Sequence, residues 1–257
     1  MKDIFSLEGK NAVVIGGAGG IGQSIAKGLA FYGANVCIAS RKLEGLQKAA
    51  KEIKDEVNKE VKIFQVDTTS SESINALVEH TAKEFGRIDI MVNSTGLNIK
   101  HDALEFNMDD WDKMFAVNVK GFMMCAKAFG AVMSKQNYGK IVNVSSVRGA
   151  RACGNGNSAY CSTKGAVDMM TRTLAVEFAP YNITVNAVGP TLTETPMMVP
   201  FFKEHPTIKE GLAKNHPLGR LGEPDDMIGA SIFLATDASS YVTGQVIYAD
   251  GGLTAIG

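Results

Sequence analysis

The feature that most constrains this chain is a regular alternation of short apolar runs with longer helix-period segments. Asn11–Ile15, Asn35–Ala39, Val61–Val66, Ile88–Val92, Lys140–Val144, Ile183–Val188 and Gln245–Ala249 read as strands. Between them, Ile21–Tyr32, Leu43–Val57, Ser71–Phe85, Met108–Lys135 and Ser158–Ala179 read as helices. Several of the strands are almost continuously apolar, as strands covered on both faces must be. The rhythm is that of repeated βαβ units, and the expected fold is α/β: a Rossmann-type, doubly wound parallel sheet with helices on both faces.

No linker, charge block or repeat divides the chain, so residues 1–257 are expected to form a single domain. The one irregular stretch, about 189–215, holds Pro190, Pro196, Pro200 and Pro206 and the apolar cluster Met197–Phe202, and is expected to act as a lid. Two helices, Met114–Met133 and Ala166–Phe178, carry apolar residues almost all round. One face is expected to pack on the sheet and the other on a second subunit, giving a homo-oligomer, a dimer or a tetramer.

Twenty-six basic residues balance 27 acidic ones, so no global field favours nucleic acid or a membrane surface, and small molecules are the expected partners. Cys37, Cys125, Cys153 and Cys161 lack metal or disulfide spacing, and the four histidines form no ligand pair. With no apolar leader near Met1 and no run of about 18 apolar residues, a cytoplasmic location with reduced thiols and no metal is expected.

Directly after the first strand, Gly16-Gly17-Ala18-Gly19-Gly20-Ile21-Gly22 opens a helix. Glycines there let the backbone turn tightly and approach a pyrophosphate, which the helix N–H groups and dipole can hold. Two registers fit, Gly17/Gly19/Gly22 and Gly16/Gly20/Gly22. After the second strand, Ser40-Arg41-Lys42 stand where a carboxylate would bind the ribose 2′-hydroxyl of NAD, so a 2′-phosphate and NADP are expected over NAD. Asp67, after the third strand, is a candidate acceptor for an adenine amine, or else a turn residue.

Further along, Tyr160 and Lys164 lie four apart on one helix face. A phenol normally keeps its proton to about pH 10, and a nearby ammonium favours the phenolate, so the pair is suited to proton transfer. Together with the glycine turn, Asn93-Ser-Thr-Gly96, Asn118, Asn143-Val-Ser-Ser146, Gly219-Arg-Leu-Gly-Glu-Pro224 and Tyr248-Ala-Asp-Gly-Gly252, the chain resembles the classical short-chain dehydrogenase/reductase family over nearly its full length. The resemblance implies a catalytic tetrad of Asn118, Ser146, Tyr160 and Lys164, with Ser145 competing for the serine role. Tyr160 would move the proton, Ser146 polarise the carbonyl, Lys164 lower the Tyr160 pKa and hold the ribose, and Asn118 anchor a relay water. It implies cofactor contacts at Gly16, Gly19, Gly20, Ile21, Gly22, Ser40, Arg41, Asp67, Asn93, Gly96, Tyr160, Lys164, Pro190, Thr193 and Thr195.

The departures are Ile15 where Thr is common, Ser94-Thr95 where Asn-Ala is usual, Thr191 where Gly is usual, and one extra residue between Ser146 and Tyr160. Arg148 and Arg151, between those two residues, could bind an anionic substrate such as a sugar acid, a hydroxy acid or a 3-oxoacyl thioester. The expected activity is NAD(P)(H)-dependent interconversion of a secondary alcohol and a ketone. The alternative is a catalytically silent Rossmann-type subunit of a hetero-oligomeric dehydrogenase.

Overall fold

A computed structural model describes residues 3–196 and 198–256. Seven strands form one parallel sheet: β1 (Asn11–Ile15), β2 (Asn35–Ser40), β3 (Lys62–Gln65), β4 (Ile90–Asn93), β5 (Gly139–Val144), β6 (Ile183–Pro190) and β7 (Val246–Ala249). Their order is β3-β2-β1-β4-β5-β6-β7. The chain therefore winds outward in both directions from β1, and a crevice opens where the direction reverses, beyond the carboxyl ends of β1 and β4.

Because side chains alternate along a strand, the apolar runs feed two cores. Val14, Ile38, Val92 and Val142 meet Ile25 and Leu29 of α1 (Gly20–Phe31), Leu46 and Ile53 of α2 (Leu43–Val57), and Leu234. On the other face Val13, Ile15, Met91, Ile141 and Val185 meet Leu77 of α3 (Ser71–Phe85), with Phe129, Met133 and Leu174. Each such side chain contributes roughly 1.5–3 kcal/mol relative to exposure, more than helix propensity supplies per residue, so packing on the sheet holds the helices in place. Local signals set their ends: the Ser70 side chain caps α3 by accepting the Ser73 N–H at 3.1 Å, and Gly86, at φ 76°, stops it.

Three expectations are corrected. The expected helix Met108–Lys135 is interrupted: α4 (Met108–Phe115) passes through a π-turn at Ala116–Lys120 into α5 (Gly121–Gln136). Such insertions break the regular bonding ladder and are often found at functional positions. Among the described residues this is the one helix long and apolar enough to cross a membrane, yet Phe122, Cys125, Phe129 and Met133 are buried in the core. The stretch 189–215 is more regular than expected. β6 runs on through Pro190, and α7 (Val199–Glu204) and α8 (Pro206–Ala213) follow, each with proline in its first turn, where no amide bond is lost. Met197 of the expected apolar cluster lies outside the described residues. Finally, the fourth strand begins at Ile90 rather than Ile88: the Gln136 side chain, not a neighbouring strand, accepts the Ile88 N–H at 3.0 Å and donates to the Ile88 carbonyl at 2.7 Å.

The remaining helices are α6 (Ser158–Phe178) and α9 (Asp226–Ala235), the latter packed on α1 and absent from the expected series. The expected two-sided character of α5 and α6 is visible: Met123, Met169 and Val176 point away from the sheet and are exposed in the single chain.

At the amino ends of the strands the fully buried Asp89 accepts the Asn11 N–H at 3.0 Å and the Arg87 Nε–H at 2.8 Å. Replacing Asp89 by Ala strands the Asn11 amide without its acceptor. The expected cost is about 2 kcal/mol of stability, read as a lower midpoint in urea unfolding.

Candidate active site

The crevice is walled first by the glycine turn. Gly16 (φ 84°) and Gly20 (φ 53°) adopt left-handed conformations that other residues rarely hold, and a Cβ on Gly22 would lie 2.2 Å from the Gly16 carbonyl oxygen. Gly17 is tight as well, since its Cβ would lie 2.8 Å from that of Ile38. A Cβ on Gly19, by contrast, would meet no atom within 4 Å, so the backbone there borders open space. No side chain caps α1 at Gly19, which leaves the first-turn amides, Ile21 among them, available to an anion. Thr195 stands over the turn, its Cγ2 3.2 Å from where a Gly20 Cβ would lie.

Across the crevice, Asn93 ends β4 fully buried. Its Oδ1 accepts the Thr95 N–H at 3.2 Å and the Thr95 hydroxyl at 2.8 Å. Its Nδ2 has no hydrogen-bond partner among the described residues. An orphaned buried donor, an open glycine edge and an uncapped helix start together fit the polar groups of a bound dinucleotide. A Cβ at Gly96 would likewise meet nothing within 4 Å. At the far wall, Arg41 and Lys42 are exposed and Ser40 is half-buried. Asp67 accepts from the Thr69 amide and hydroxyl at 2.9 and 2.8 Å. These two bonds, with help from the Arg41 charge, hold its carboxyl below the usual range. Asp67 is thus a turn residue whichever ligand it meets.

The second wall is made where the end of β5 meets α6. Lys164, 2% exposed, donates from Nζ to the Val144 carbonyl at 2.9 Å. The Tyr160 hydroxyl is hydrogen-bonded to Ser146. Ser146 Oγ also accepts the Arg148 N–H at 3.1 Å and reaches the Pro190 carbonyl at 3.4 Å. Ser145 donates to Asp168, two turns beyond Tyr160 on the same helix, so consecutive serines serve different partners. Asn118, fully buried in the π-turn, accepts the Leu97 N–H and donates to the Leu97 carbonyl, both at 2.8 Å. It donates as well to Thr163 Oγ1 at 3.1 Å, and that hydroxyl donates to the Tyr160 carbonyl at 2.8 Å. Asn118 thereby clamps the loop after Gly96 to the turn of α6 that carries Tyr160.

Residues 16–254 match the family described as Enoyl-(Acyl carrier protein) reductase. The chain belongs to the short-chain dehydrogenase/reductase family. It is 34% identical over 253 residues to 5-keto-D-gluconate 5-reductase of Escherichia coli, covering 98% of each chain. It is 41% identical over 250 residues to a 3-oxoacyl-[acyl-carrier-protein] reductase of Thermotoga maritima, covering 96% of this chain and 98% of that one. The crystal structure of gluconate 5-dehydrogenase from Burkholderia cenocepacia in complex with NADP and tartrate superposes with a TM-score of 0.91 at 33% identity, covering 99% of each chain. Relatives of this kind are oxidoreductases, which supports the catalytic reading over the silent-subunit alternative.

The Tyr160 phenol is pushed up, not down: burial outweighs the Ser146 hydrogen bond and the Arg148 charge. The Lys164 ammonium lies 5.7 Å from the Tyr160 ring centroid, and burial lowers its own pKa to about 8. It has therefore lost its charge before a phenol of ordinary acidity would ionise. Of the two candidate substrate arginines, Arg148 is half-buried and its charge reaches Tyr160 and Cys153, whereas the Arg151 guanidinium donates to the Leu253 carbonyl. Arg151 ties down the carboxyl-terminal segment.

The departures are also accommodated. Ile15 is sealed in the core beside Cys37 and Ala39, and the Thr191 hydroxyl bonds His216 Nε2 at 3.0 Å, fastening the end of β6 to the residues after α8. Thr193 is buried and bridges to Gly222. Between Ser146 and Tyr160, Asn155 and Gly156 adopt left-handed conformations, and Gly156 packs against the His101 backbone. Asp168 and Thr163 were not among the candidate residues, although Asp168 continues the four-residue spacing of Tyr160 and Lys164.

The lowered Lys164 pKa fixes the sign of a stability change. From about pH 8 up to the ordinary lysine value of 10.5, the native protein holds Lys164 neutral while the unfolded chain holds it protonated, so stability rises with pH. Relative to Lys164→Met, wild type is expected to gain up to on the order of 3 kcal/mol across this window in urea unfolding at stepped pH. A difference that stays flat with pH contradicts the assignment.

Proposed function

We propose that this chain is an NADP(H)-linked oxidoreductase that interconverts a ketone and a secondary alcohol on a carboxylate-bearing substrate, of which sugar acids and hydroxy acids are the favoured class. The observation that carries this reading is the Tyr160–Ser146 hydrogen bond lying within the field of the half-buried Arg148 cation. A substrate carbonyl oxygen placed against Tyr160 and Ser146 brings a neighbouring carboxylate toward a guanidinium that can hold it bidentately. The ketogluconate reductase and gluconate dehydrogenase likenesses support the same class.

The dinucleotide would lie on Gly16, Gly19, Gly20, Ile21 and Gly22. Ser40 and Arg41 would face a 2′-phosphate, Asp67 the adenine side, and Asn93, Gly96, Pro190, Thr193 and Thr195 the nicotinamide half. When bound, it supplies the hydride. The chain's own groups handle the oxygen: Tyr160 gives its proton to the developing alkoxide, and Ser146 donates a hydrogen bond to the same atom. A high phenol pKa keeps Tyr160 protonated and ready to act as an acid in the reductive direction. Lys164, charged below about pH 8, offers positive charge to the proton-transfer site and a donor to the ribose. Asn118 keeps the Gly96–Leu97 loop and the Tyr160 turn at a fixed separation.

We read residues 1–257 as one domain, with 189–215 as a lid closed on itself by the Glu194–Lys209 ion pair (2.8 Å) and the Thr191–His216 bond. The exposed Met123, Met169 and Val176 favour a homo-oligomer, and free thiols suit a cytoplasmic setting. A 3-oxoacyl thioester is the second reading, supported by the Thermotoga maritima likeness and by Phe201, which is exposed on α7.

Tyr160→Phe is expected to lower turnover by about 10²–10⁴-fold while NADPH still binds, as followed by nicotinamide fluorescence. Arg148→Ala is expected to raise KM for keto acids and leave KM for neutral ketones unchanged. If both substrate kinds respond alike, carboxylate recognition by Arg148 is excluded.

A further inference from the structure

Three consecutive residues at the end of β5 engage three residues spaced by four along α6. The Val144 carbonyl accepts from Lys164, Ser145 donates to Asp168, and Ser146 bonds Tyr160. Tyr160 and Lys164 are the acid and the cation of the proposed reaction, but the third member of the stripe has no place in it. We propose that Asp168 is a positioning residue for the proton-transfer site: its carboxylate is the buried counter-charge to the Lys164 ammonium and, through Ser145, locks the strand end that presents Ser146 to Tyr160. The proposal rests on the reading of this crevice as the site of ketone reduction.

Its surroundings mark Asp168 as an installed charge. It is 5% exposed, in a protein interior where a carboxylate is costly unless partnered. Both oxygens are engaged, Oδ1 by the Ser145 hydroxyl and Oδ2 by the Tyr248 hydroxyl of β7 at 3.2 Å. Ser145 Oγ lies also 3.5 Å from the Lys164 carbonyl, so one hydroxyl spans the two members of the stripe. The 3₁₀ turn Val147–Gly149 makes room: a Cβ on Gly149 would fall 2.2 Å from Asp168 Oδ2 and 3.0 Å from the Lys164 carbonyl. Any side chain at 149 would push the carboxylate out.

The charged and titratable groups facing this pair are few. Lys164 and Arg172 on α6 supply positive charge to Asp168, and Tyr248 faces it from β7. Lys164 in turn is faced by Asp168, by the Tyr160 ring and by the Phe122 ring of α5 at 5.4 Å. Burial raises the Asp168 pKa against the pull of these partners, and burial lowers that of Lys164 against the pull of Asp168. Each ion thus sustains the charge of the other, and neutralising Asp168 makes Lys164 lose its proton more readily. A buried carboxylate that costs stability while holding a neighbouring cation charged has the signature of a functional rather than a stabilising group.

The test uses full-length protein carrying ¹³Cε-lysine, with the Lys164 resonance identified by its loss in Lys164→Met. In Asp168→Asn, the Lys164 titration is expected to move to lower pH by about one unit. The alkaline limb of kcat/KM for NADPH-dependent reduction is expected to move with it. A folded Asp168→Asn protein whose Lys164 titration is unchanged overturns the proposal, even if its melting temperature falls, since a purely structural role moves only the latter. Wild-type protein gives a second reading that needs no substitution: the Lys164 resonance should show an acid-side inflection as Asp168 titrates, and its absence overturns the proposal equally. If no substrate turns over, the resonance still reports on Asp168, so failure of the reductase reading and failure of this inference are told apart.

Discussion

The structure depends on the register between the end of β5 and one face of α6. A strand offers neighbouring residues to opposite sides, while a helix returns to the same side every three or four residues. Where the two meet, the backbone carbonyl of Val144 and the hydroxyls of Ser145 and Ser146 find Lys164, Asp168 and Tyr160 one turn apart. A slip of one residue in β5 would part Ser146 from Tyr160 and Ser145 from Asp168 together. The parallel pairing of β5 with β4 and β6, every residue of it buried, is what fixes that register.

The glycine turn answers a different constraint, the thickness of the backbone. The Gly16 carbonyl, Gly22 and the Ser94 peptide approach so closely that there is no room for a Cβ, which draws the start of α1 over the ends of β1 and β4. The same compression leaves Gly19 bordering open space. Close packing behind the turn and emptiness in front of it are what a site for a phosphate-bearing ligand requires, since the helix amides must reach the ligand without side chains intervening. Across the crevice, the Asn118 clamp and the Thr95–Asn93 bonds hold the opposite wall, so one wall is set by close backbone packing and the other by hydrogen bonds.

Much of this was legible in the sequence, for physical reasons that can be named. Continuous apolar runs separated by helix-period segments specify a parallel sheet covered on both faces, and a glycine cluster after the first strand specifies the nucleotide end. Tyr160 and Lys164 could be paired because a spacing of four on a helix is a distance. The choice between Ser145 and Ser146 was not legible, because both reach α6 and only the fold shows which meets Asp168 and which meets Tyr160. The π-turn at Asn118 was hidden since the apolar helical pattern runs through Ala116–Lys120 without a Gly or Pro to mark a break. The direction of the Tyr160 shift was misread because proximity to Lys164 was weighed without the burial that discharges that lysine near pH 8. Arg151 looked equivalent to Arg148 until the carboxyl-terminal segment, remote in sequence, supplied the Leu253 carbonyl.

What the chain does chemically rests on one event, transfer of hydride to a carbonyl carbon held against Tyr160 and Ser146. The most direct measurement supplies NADPH deuterated at the transferable position, together with a panel of keto acids and neutral ketones, and follows the products by mass spectrometry. The account predicts that a keto acid acquires a single deuterium at its new carbinol carbon in step with NADPH consumption. NADPH that binds yet passes no deuterium to any member of the panel would contradict it.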